Sequence, residues 1–268
     1  KAVLGGLLEA VRQRSPARAW QDAPYTREIT EQVAGWWRQN RDLRESDRTP
    51  VTMGRVIAEV RKVLPPDGIV FTSSGNIQAQ VFQEMPFFKP RTYISAGGFS
   101  TMGWSFPAAM GAKLAAPQTP VVAMVGDGDF LMTIQELATA VQYHIPVVVV
   151  VLNNAGWQAI RDLQLAAYGE EAVYATMFED HSQALTPDFA AIARGFGAHA
   201  VCISRPDEVA PALREALEMG GPAVIDVMVD TQPGTSGGLA PGWWDVPVPG
   251  YFEQRRAIYE QARREERI

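Results

Sequence analysis

Two apolar runs, "PVVAMVG" at 120–126 and "IPVVVVVL" at 145–152, constrain the fold more than anything else in the chain. Each has the length of a strand, and neither alternates with polar residues. A strand that is apolar at every position must be covered on both faces. That is the situation of an inner strand in a parallel sheet packed between two helical layers.

The surrounding pattern agrees. "MGRVIAEVRKVLP" has helical spacing and stops at Pro65, and "GIVFTSSG" reads as a strand running into a glycine turn. "NIQAQVFQEM" reads as a helix, "RTYISAGGFSTMG" as a short strand and a loop, and "SFPAAMGAKLAA" as a helix of small residues. "FLMTIQELATAVQYH" predicts one continuous helix, with Leu131, Ile134, Leu137, Ala138 and Val141 on its apolar face. An irregular stretch follows Asn154. Then come a helix over 188–196, the strand "AHAVCIS", the helix "PDEVAPALREALEM" and the strand "PAVIDVMVD". Alternating strands and helices predict an α/β protein, a doubly wound parallel sheet with helices on both faces.

Residues 1–50 differ in texture. They read as the end of a preceding central domain plus a linker, with 51–230 as the sheet domain. Residues 231–268 read as a C-terminal arm. It is Gly/Pro-rich around Trp243 and Trp244, which suit a lid or a subunit contact, and ends in a charged helix. Arg255, Arg256, Arg263 and Arg264 alternate there with glutamates, as on a solvated face.

A net charge of −6 argues against a nucleic-acid surface. The longest apolar run is far short of the roughly 20 residues needed to span a bilayer. With one cysteine, Cys202, and no visible secretory signal, the expectation is a cytoplasmic chain without disulfides or membrane contact. A start at Lys1 reads as a piece or processed form of something longer.

In doubly wound sheets ligands bind beyond the carboxyl ends of the strands. The residues to watch are therefore Ser73–Asn76, Ala96–Met102, Gly126–Asp129 and Asn153–Trp157. "GDG" at 126–128 would alone be a tight turn with a helix-capping acid. "NN" at 153–154 ends the next strand, one helix and one strand later, so the two loops share an edge of the sheet. A carboxylate from Asp127, an amide oxygen from Asn154 and an open turn at Gly156 make a set of oxygen ligands suited to Mg²⁺ or Ca²⁺. The helix starting near Asp129 favours an anion at the same place. A diphosphate held through Mg²⁺ meets these requirements. The carboxylate of Asp129 is expected to turn away from it and cap the helix.

The GDG–NN spacing, together with "GGFSTMGWSFPAAMGAK", "VVAMVGDGDFLMTIQELATAVQYHIPVVVVVLNN" and "GPAVIDVMVD", resembles the thiamine-diphosphate enzymes of the acetolactate synthase, pyruvate oxidase and benzoylformate decarboxylase type. The likeness runs from about residue 50 to 230 and covers their C-terminal, diphosphate-binding domain. It implies Mg²⁺ on Asp127, Asn154 and the backbone of Gly156. It implies a diphosphate against Gly126, Gly128 and Asp129, with Gly75 and Asn76 on the opposite loop. Thr101 and Met102 would face the cofactor, Met102 lying under the thiazolium ring. Trp157 and Gln158 are placed to line the substrate pocket. The implied activity is that of a lyase or transferase, forming or cleaving a C–C bond beside the carbonyl of a 2-oxo acid or a related diketone. The resemblance leaves open whether FAD is also carried.

Three departures matter. The glutamate that activates the cofactor in this family belongs to an N-terminal pyrimidine-binding domain, and nothing here corresponds to it. A second chain or domain must bring it, which implies a homo- or hetero-oligomer. Leu163 and Ala159 stand where acetolactate synthases carry tryptophan and methionine, which leaves cyclic 1,2-diketone hydrolysis and 2-oxo acid decarboxylation as alternatives. Ile77 stands where histidine is common. A non-catalytic partner subunit is disfavoured by the intact Asp127, Asn154 and Gly156. A nucleotide-binding Rossmann protein is disfavoured because no G-x-G-x-x-G turn opens a helix and no P-loop lysine is present. His181 is expected in a solvated loop, His144 at a helix end, His199 at the start of a strand and Cys202 as a buried apolar residue.

Overall fold

The computed structural model describes residues 1–14, 23–181, 183–231 and 248–265. Two compact units divide the chain, Lys1–Arg41 and Asp42–Ile268. The first contains α1 (Ala2–Arg14) and α2 (Pro24–Gln39), neither with a buried residue. Pro24 opens α2 where a missing N–H costs nothing.

From α3 (Arg41–Arg44) onward the chain runs α4 (Met53–Val63), β1 (Ile69–Thr72), α5 (Asn76–Glu84), β2 (Tyr93–Ser95), α6 (Ser105–Ala115), β3 (Val121–Gly126) and α7 (Asp127–Leu131). It continues through α8 (Leu137–Gln142), β4 (Val148–Asn153), α9 (Gln158–Tyr168), β5 (Glu179–Asp180), β6 (Gln183–Ala184), α10 (Phe189–Phe196), β7 (His199–Ile203), α11 (Pro206–Glu218), β8 (Ala223–Met228) and α12 (Glu253–Glu265). Among the described residues no helix is long and apolar enough to cross a membrane.

Six strands form one sheet in the order β2-β1-β3-β4-β8-β7, parallel throughout. The chain leaves β1 outward to β2 and then returns to β3 on the other side. The crevice at the C-terminal ends of β1 and β3 is therefore a topological switch point, where doubly wound sheets bind ligands. β3 and β4 pair from Val122 with Val148 to Gly126 with Leu152. This register sends Asp127 and Asn154 out of adjacent strands at the same edge.

The period-2 alternation of a strand explains the all-apolar runs. Val122, Met124, Val148, Val150 and Leu152 enter one core with α4, α5 and α11. Val121, Ala123, Val125, Val149 and Val151 enter a second core with α6, α8 and α10. Burying each such side chain contributes on the order of 1.5–3 kcal/mol, so both faces hold the sheet. The α/β class and the doubly wound parallel sheet are as expected.

Several local expectations are corrected. The helix over 130–144 is broken. α7 begins at Asp127 itself, Thr133 leaves helical dihedrals (φ −139°, ψ 16°), a 3₁₀ turn covers Ile134–Glu136, and α8 follows. The first turn is fixed by its own anchors. Phe130 packs between Phe106 and Phe189, with ring centroids 5.6 and 5.8 Å away, and Asp129 bonds to the Gly103 backbone. The stretch after Asn154 is irregular only in part, because α9 spans Gln158–Tyr168. Only Gln158 and Ala167 of α9 are buried, so it shows no apolar stripe strong enough to reveal it. Cys202 is exposed, because β7 is the sheet's edge strand. His181 sits at the β5–β6 turn, exposed and 3.7 Å from an Asp180 carboxylate oxygen. His144 follows α8 with φ 50°, and His199 opens β7 beside Glu215 at 3.7 Å. Trp243 and Trp244 lie outside the described residues.

Candidate functional site

The loops that leave β1, β3 and β4 surround an open cleft. Gly75, Asn76, Met102, Gly126, Asp127, Gly128, Asp129, Asn154, Gly156, Trp157 and Gln158 all line it. Thr101 does not line it and is exposed on the loop before Met102, and Ser73, residues 96–100, Asn153 and Ala155 are likewise off its wall.

Asp127 is 2% exposed. Its Oδ1 accepts from the Gly128 N–H at 2.7 Å and its Oδ2 from the Gly156 N–H at 3.0 Å. Burial raises its pKa, while these amides pull it back. One carboxylate thus ties the end of β3 to the turn after β4.

The two asparagines of that turn have different jobs. Asn153 is wholly buried and structural: its Nδ2 donates to Asp226 Oδ1 (3.1 Å), and its Oδ1 accepts from the Ala155 N–H (3.2 Å) and the Thr186 hydroxyl (3.0 Å). Asn154 is 8% exposed, and its Oδ1 is a buried acceptor without a hydrogen-bond partner among the described residues. Such an atom is costly unless something else supplies a donor or a cation.

Ala155 adopts φ 57°, unusual for a residue with a side chain. The turn is clamped in that shape by Trp157 N–H to the Thr176 carbonyl and by Phe178 N–H to the Ala155 carbonyl, each 2.7 Å. Gly156 is obligatory there. A Cβ would lie 2.7 Å from the Thr176 carbonyl oxygen and 2.9 Å from Met177 Sδ.

Asp129 corrects one expectation. Its carboxylate caps no helix. Oδ1 accepts from the Gly103 N–H, fixing the Met102 loop to α7, and Oδ2 is buried without a partner among the described residues. Burial pushes its pKa up to about 6, against the Gly103 amide and the Ser73 hydroxyl. Ser73 also braces the start of α6, its Oγ 2.6 Å from Ser105 Oγ and accepting from the Ser105 N–H at 2.9 Å.

Trp157 lies against Gly128, where a Cβ would come within 2.6 Å of the indole Cζ3, and meets Phe178 edge-on at 5.7 Å. Opposite, Gly75 (φ 89°) precedes the first turn of α5, a terminus that favours an anion. The Asn76 side chain reaches across the cleft instead, its Nδ2 donating to Asp162 Oδ2 at 2.7 Å. Gln158 Nε2 donates to Asp162 Oδ1, also at 2.7 Å. Ile77 is 3% exposed, belongs to the core packed on α5 and also lines the cleft, so this chain presents an apolar side chain at the position where histidine is common.

Sequence reasoning missed Asp162, Asp226 and Phe178. Asp162 follows Gln158 by four residues, a signal readable only once α9 is known to begin at Gln158. Asp226, in "PAVIDVMVD", was the one charged residue inside an otherwise apolar strand.

Comparison with known proteins follows the same outline. The family described as "Thiamine pyrophosphate enzyme, C-terminal TPP binding domain" matches residues 73–227. Acetolactate synthase isozyme 3 large subunit of Escherichia coli is 33% identical over 233 residues, 86% of this chain and 39% of that protein. The 3D-(3,5/4)-trihydroxycyclohexane-1,2-dione hydrolase of Lacticaseibacillus casei is 32% identical over 204 residues, 76% of this chain and 32% of that protein. Among solved structures, the thiamine diphosphate-dependent 4-hydroxybenzoylformate decarboxylase of Rhodococcus jostii RHA1 has a TM-score of 0.61 at 26% identity, over 70% of this chain and 34% of that one. The chain spans between a third and two fifths of the length of curated relatives such as the Haemophilus influenzae and Escherichia coli acetolactate synthases. By its fold, its strand-end loops and the match over 73–227, the chain belongs to the thiamine pyrophosphate enzymes, and the matched span is their C-terminal TPP-binding domain.

Proposed function

We propose that this chain is the part of a thiamine-diphosphate- and Mg²⁺-dependent enzyme that holds the diphosphate, and that the enzyme forms or cleaves a C–C bond next to a carbonyl. The observation that carries this reading is the pairing of Asp127 with Asn154 at adjacent strand ends, with Asn154 Oδ1 buried and unpartnered among the described residues. Asp127 and Asn154 supply side-chain oxygens and Gly156 a backbone oxygen to Mg²⁺, which accepts few protein ligands and leaves the rest to phosphate and water. The start of α5 at Gly75 and Asn76 and the backbone of Gly128 and Asp129 would lie against the diphosphate, with the Gly128 N–H donating to Asp127. Gly128 leaves room for the indole of Trp157, which occupies the place where a Cβ would stand.

Bound thiamine diphosphate supplies a nucleophilic carbon and an electron sink. This chain positions and shields. Met102, on the loop held by the Gly103–Asp129 bond, would pack against the thiazolium ring. Trp157, packed against Gly128, would offer an apolar wall to the substrate. The activating glutamate comes from a pyrimidine-binding domain of a second chain or of the same longer polypeptide. The active unit is therefore an oligomer or a multidomain assembly, with residues 1–50 as the end of the preceding domain and linker.

A second reading, hydrolytic cleavage of a cyclic 1,2-diketone, is favoured by Ala159 and Leu163 in place of the synthases' methionine and tryptophan, and by the likeness to the dione hydrolase. In the assembled protein, calorimetry with thiamine diphosphate is expected to give saturable, Mg²⁺-dependent binding that Asp127→Ala abolishes. Absence of binding, or binding indifferent to Asp127→Ala, would overturn the proposal.

A further inference from the structure

We propose that Gln158, oriented by Asp162, is a specificity-determining residue that reads a hydroxyl group on the substrate. The site would then take a neutral, hydroxyl-bearing carbonyl compound in preference to a simple 2-oxo carboxylate. The proposal rests on the cofactor reading above and names the substrate class of that same site.

The argument starts from one carboxylate. Asp162 receives Gln158 Nε2 on Oδ1 and Asn76 Nδ2 on Oδ2, both at 2.7 Å, so it bridges α9 and α5 across the mouth of the cleft. An ionised carboxylate can only accept hydrogen bonds. The ambiguity that normally attends an amide's orientation is therefore resolved by chemistry: both NH₂ groups must face Asp162. Gln158 is 4% exposed and lines the cleft, and its amide nitrogen is committed. Its Oε1 is left buried and without a partner among the described residues. A buried acceptor of this kind is complemented by a donor, which a hydroxyl offers and a carboxylate does not.

The electrostatics point the same way. Among the described residues no lysine or arginine lines this chain's share of the cleft, while the Asp162 carboxylate lies one hydrogen bond behind its Asn76 and Gln158. A substrate carboxylate would meet repulsion and an acceptor. A neutral ketone with a hydroxyl near its carbonyl meets a matching acceptor and no like charge. Sites whose buried polar groups await a substrate hydroxyl discriminate strongly against analogues that lack it.

The test uses the assembled protein loaded with thiamine diphosphate and Mg²⁺, with cofactor binding scored first by calorimetry. Dihydroxyacetone and pyruvate then serve as probes by saturation-transfer NMR. Wild type is expected to favour dihydroxyacetone by tenfold or more. Gln158→Leu should erase that preference with cofactor affinity within about twofold of wild type. Asp162→Asn, which lets the Gln158 amide turn over, should shift the ratio toward pyruvate. Equal binding of both probes by wild type would overturn the proposal. So would an unchanged ratio in both variants, or a Gln158→Leu effect seen only in cofactor affinity, which would assign the acceptor to the cofactor. Failure of wild type to bind thiamine diphosphate would show in the calorimetry and would sink the cofactor reading and this inference together.

Discussion

Gly156→Ala offers a severe test of how the turn after β4 is built. The added Cβ would meet the Thr176 carbonyl oxygen at 2.7 Å, Met177 Sδ at 2.9 Å and Met177 Cα at 3.0 Å, where ordinary contact begins near 3.4 Å. Two of those atoms are backbone, and the segment is fixed by the 2.7 Å bonds of Trp157 and Phe178. The turn and residues 176–178 must separate by several tenths of an ångström. Overpacking of this kind costs about 1–3 kcal/mol. For a unit of this size each kcal/mol lowers Tm by about 2–4 °C, so a fall of about 2–12 °C is expected in thermal unfolding followed by circular dichroism. The same movement withdraws the Gly156 N–H from Asp127 Oδ2. The Tm gain given by thiamine diphosphate with Mg²⁺ should shrink along with the resting Tm. Adding Met177→Ala removes the sulfur contact but not the Thr176 carbonyl, so the double variant should recover only part of the loss. An unchanged Tm together with an unchanged ligand-induced gain would refute the reasoning. Complete rescue by Met177→Ala would show that the carbonyl contact is not the limiting one.

Two further outcomes follow from buried acids. Asp127→Asn leaves one of the Gly128 and Gly156 N–H groups facing a donor, so the ligand-free chain should lose about 1–3 kcal/mol while the Mg²⁺-dependent Tm gain disappears; an intact Mg²⁺-dependent gain would mean that Asp127 serves the fold alone. Asp226 is pushed up to about 6 by burial, above the 3.8 of an ordinary aspartate. Its protonated form is the one the fold favours, so its contribution is fully present below pH 4 and is lost as pH rises through about 6. The loss is on the order of 3 kcal/mol, with Asp129 adding a second step in the same window. Denaturant midpoints of the ligand-free chain between pH 4 and 7 should fall with pH, and Asp226→Asn should flatten part of that slope. A parallel slope in the variant would place the titration elsewhere.

Much of the site was legible because its logic is local. A glycine beside an acid, an asparagine at the end of the next strand and a glycine two residues later are each set by what a strand end can offer a diphosphate. Asp127, Asn154 and Gly156 could therefore be named from spacing. The partners that hold them could not. Asp226 lies 73 residues beyond Asn153, and Thr176 and Met177 reach Gly156 from a segment with no recognisable pattern. The role of Asp129 shows the limit within the motif itself. Charge repulsion gives no hint of where its carboxylate goes, because the group that receives it is an amide 26 residues earlier.

By itself the sequence determined the class of sheet. Strands apolar at every position leave no face that water could wet, whatever their neighbours are. It also determined the loops that end those strands. Only the tertiary structure decided the order β2-β1-β3-β4-β8-β7, the break at Thr133, the exposure of Cys202 on an edge strand and the Asp162 bridge over the cleft. The physical reason is common to all four. Periodicity reports how each residue is solvated along its own element, while strand order, edges and cross-cleft hydrogen bonds depend on which elements meet, and the chain fixes that only by folding.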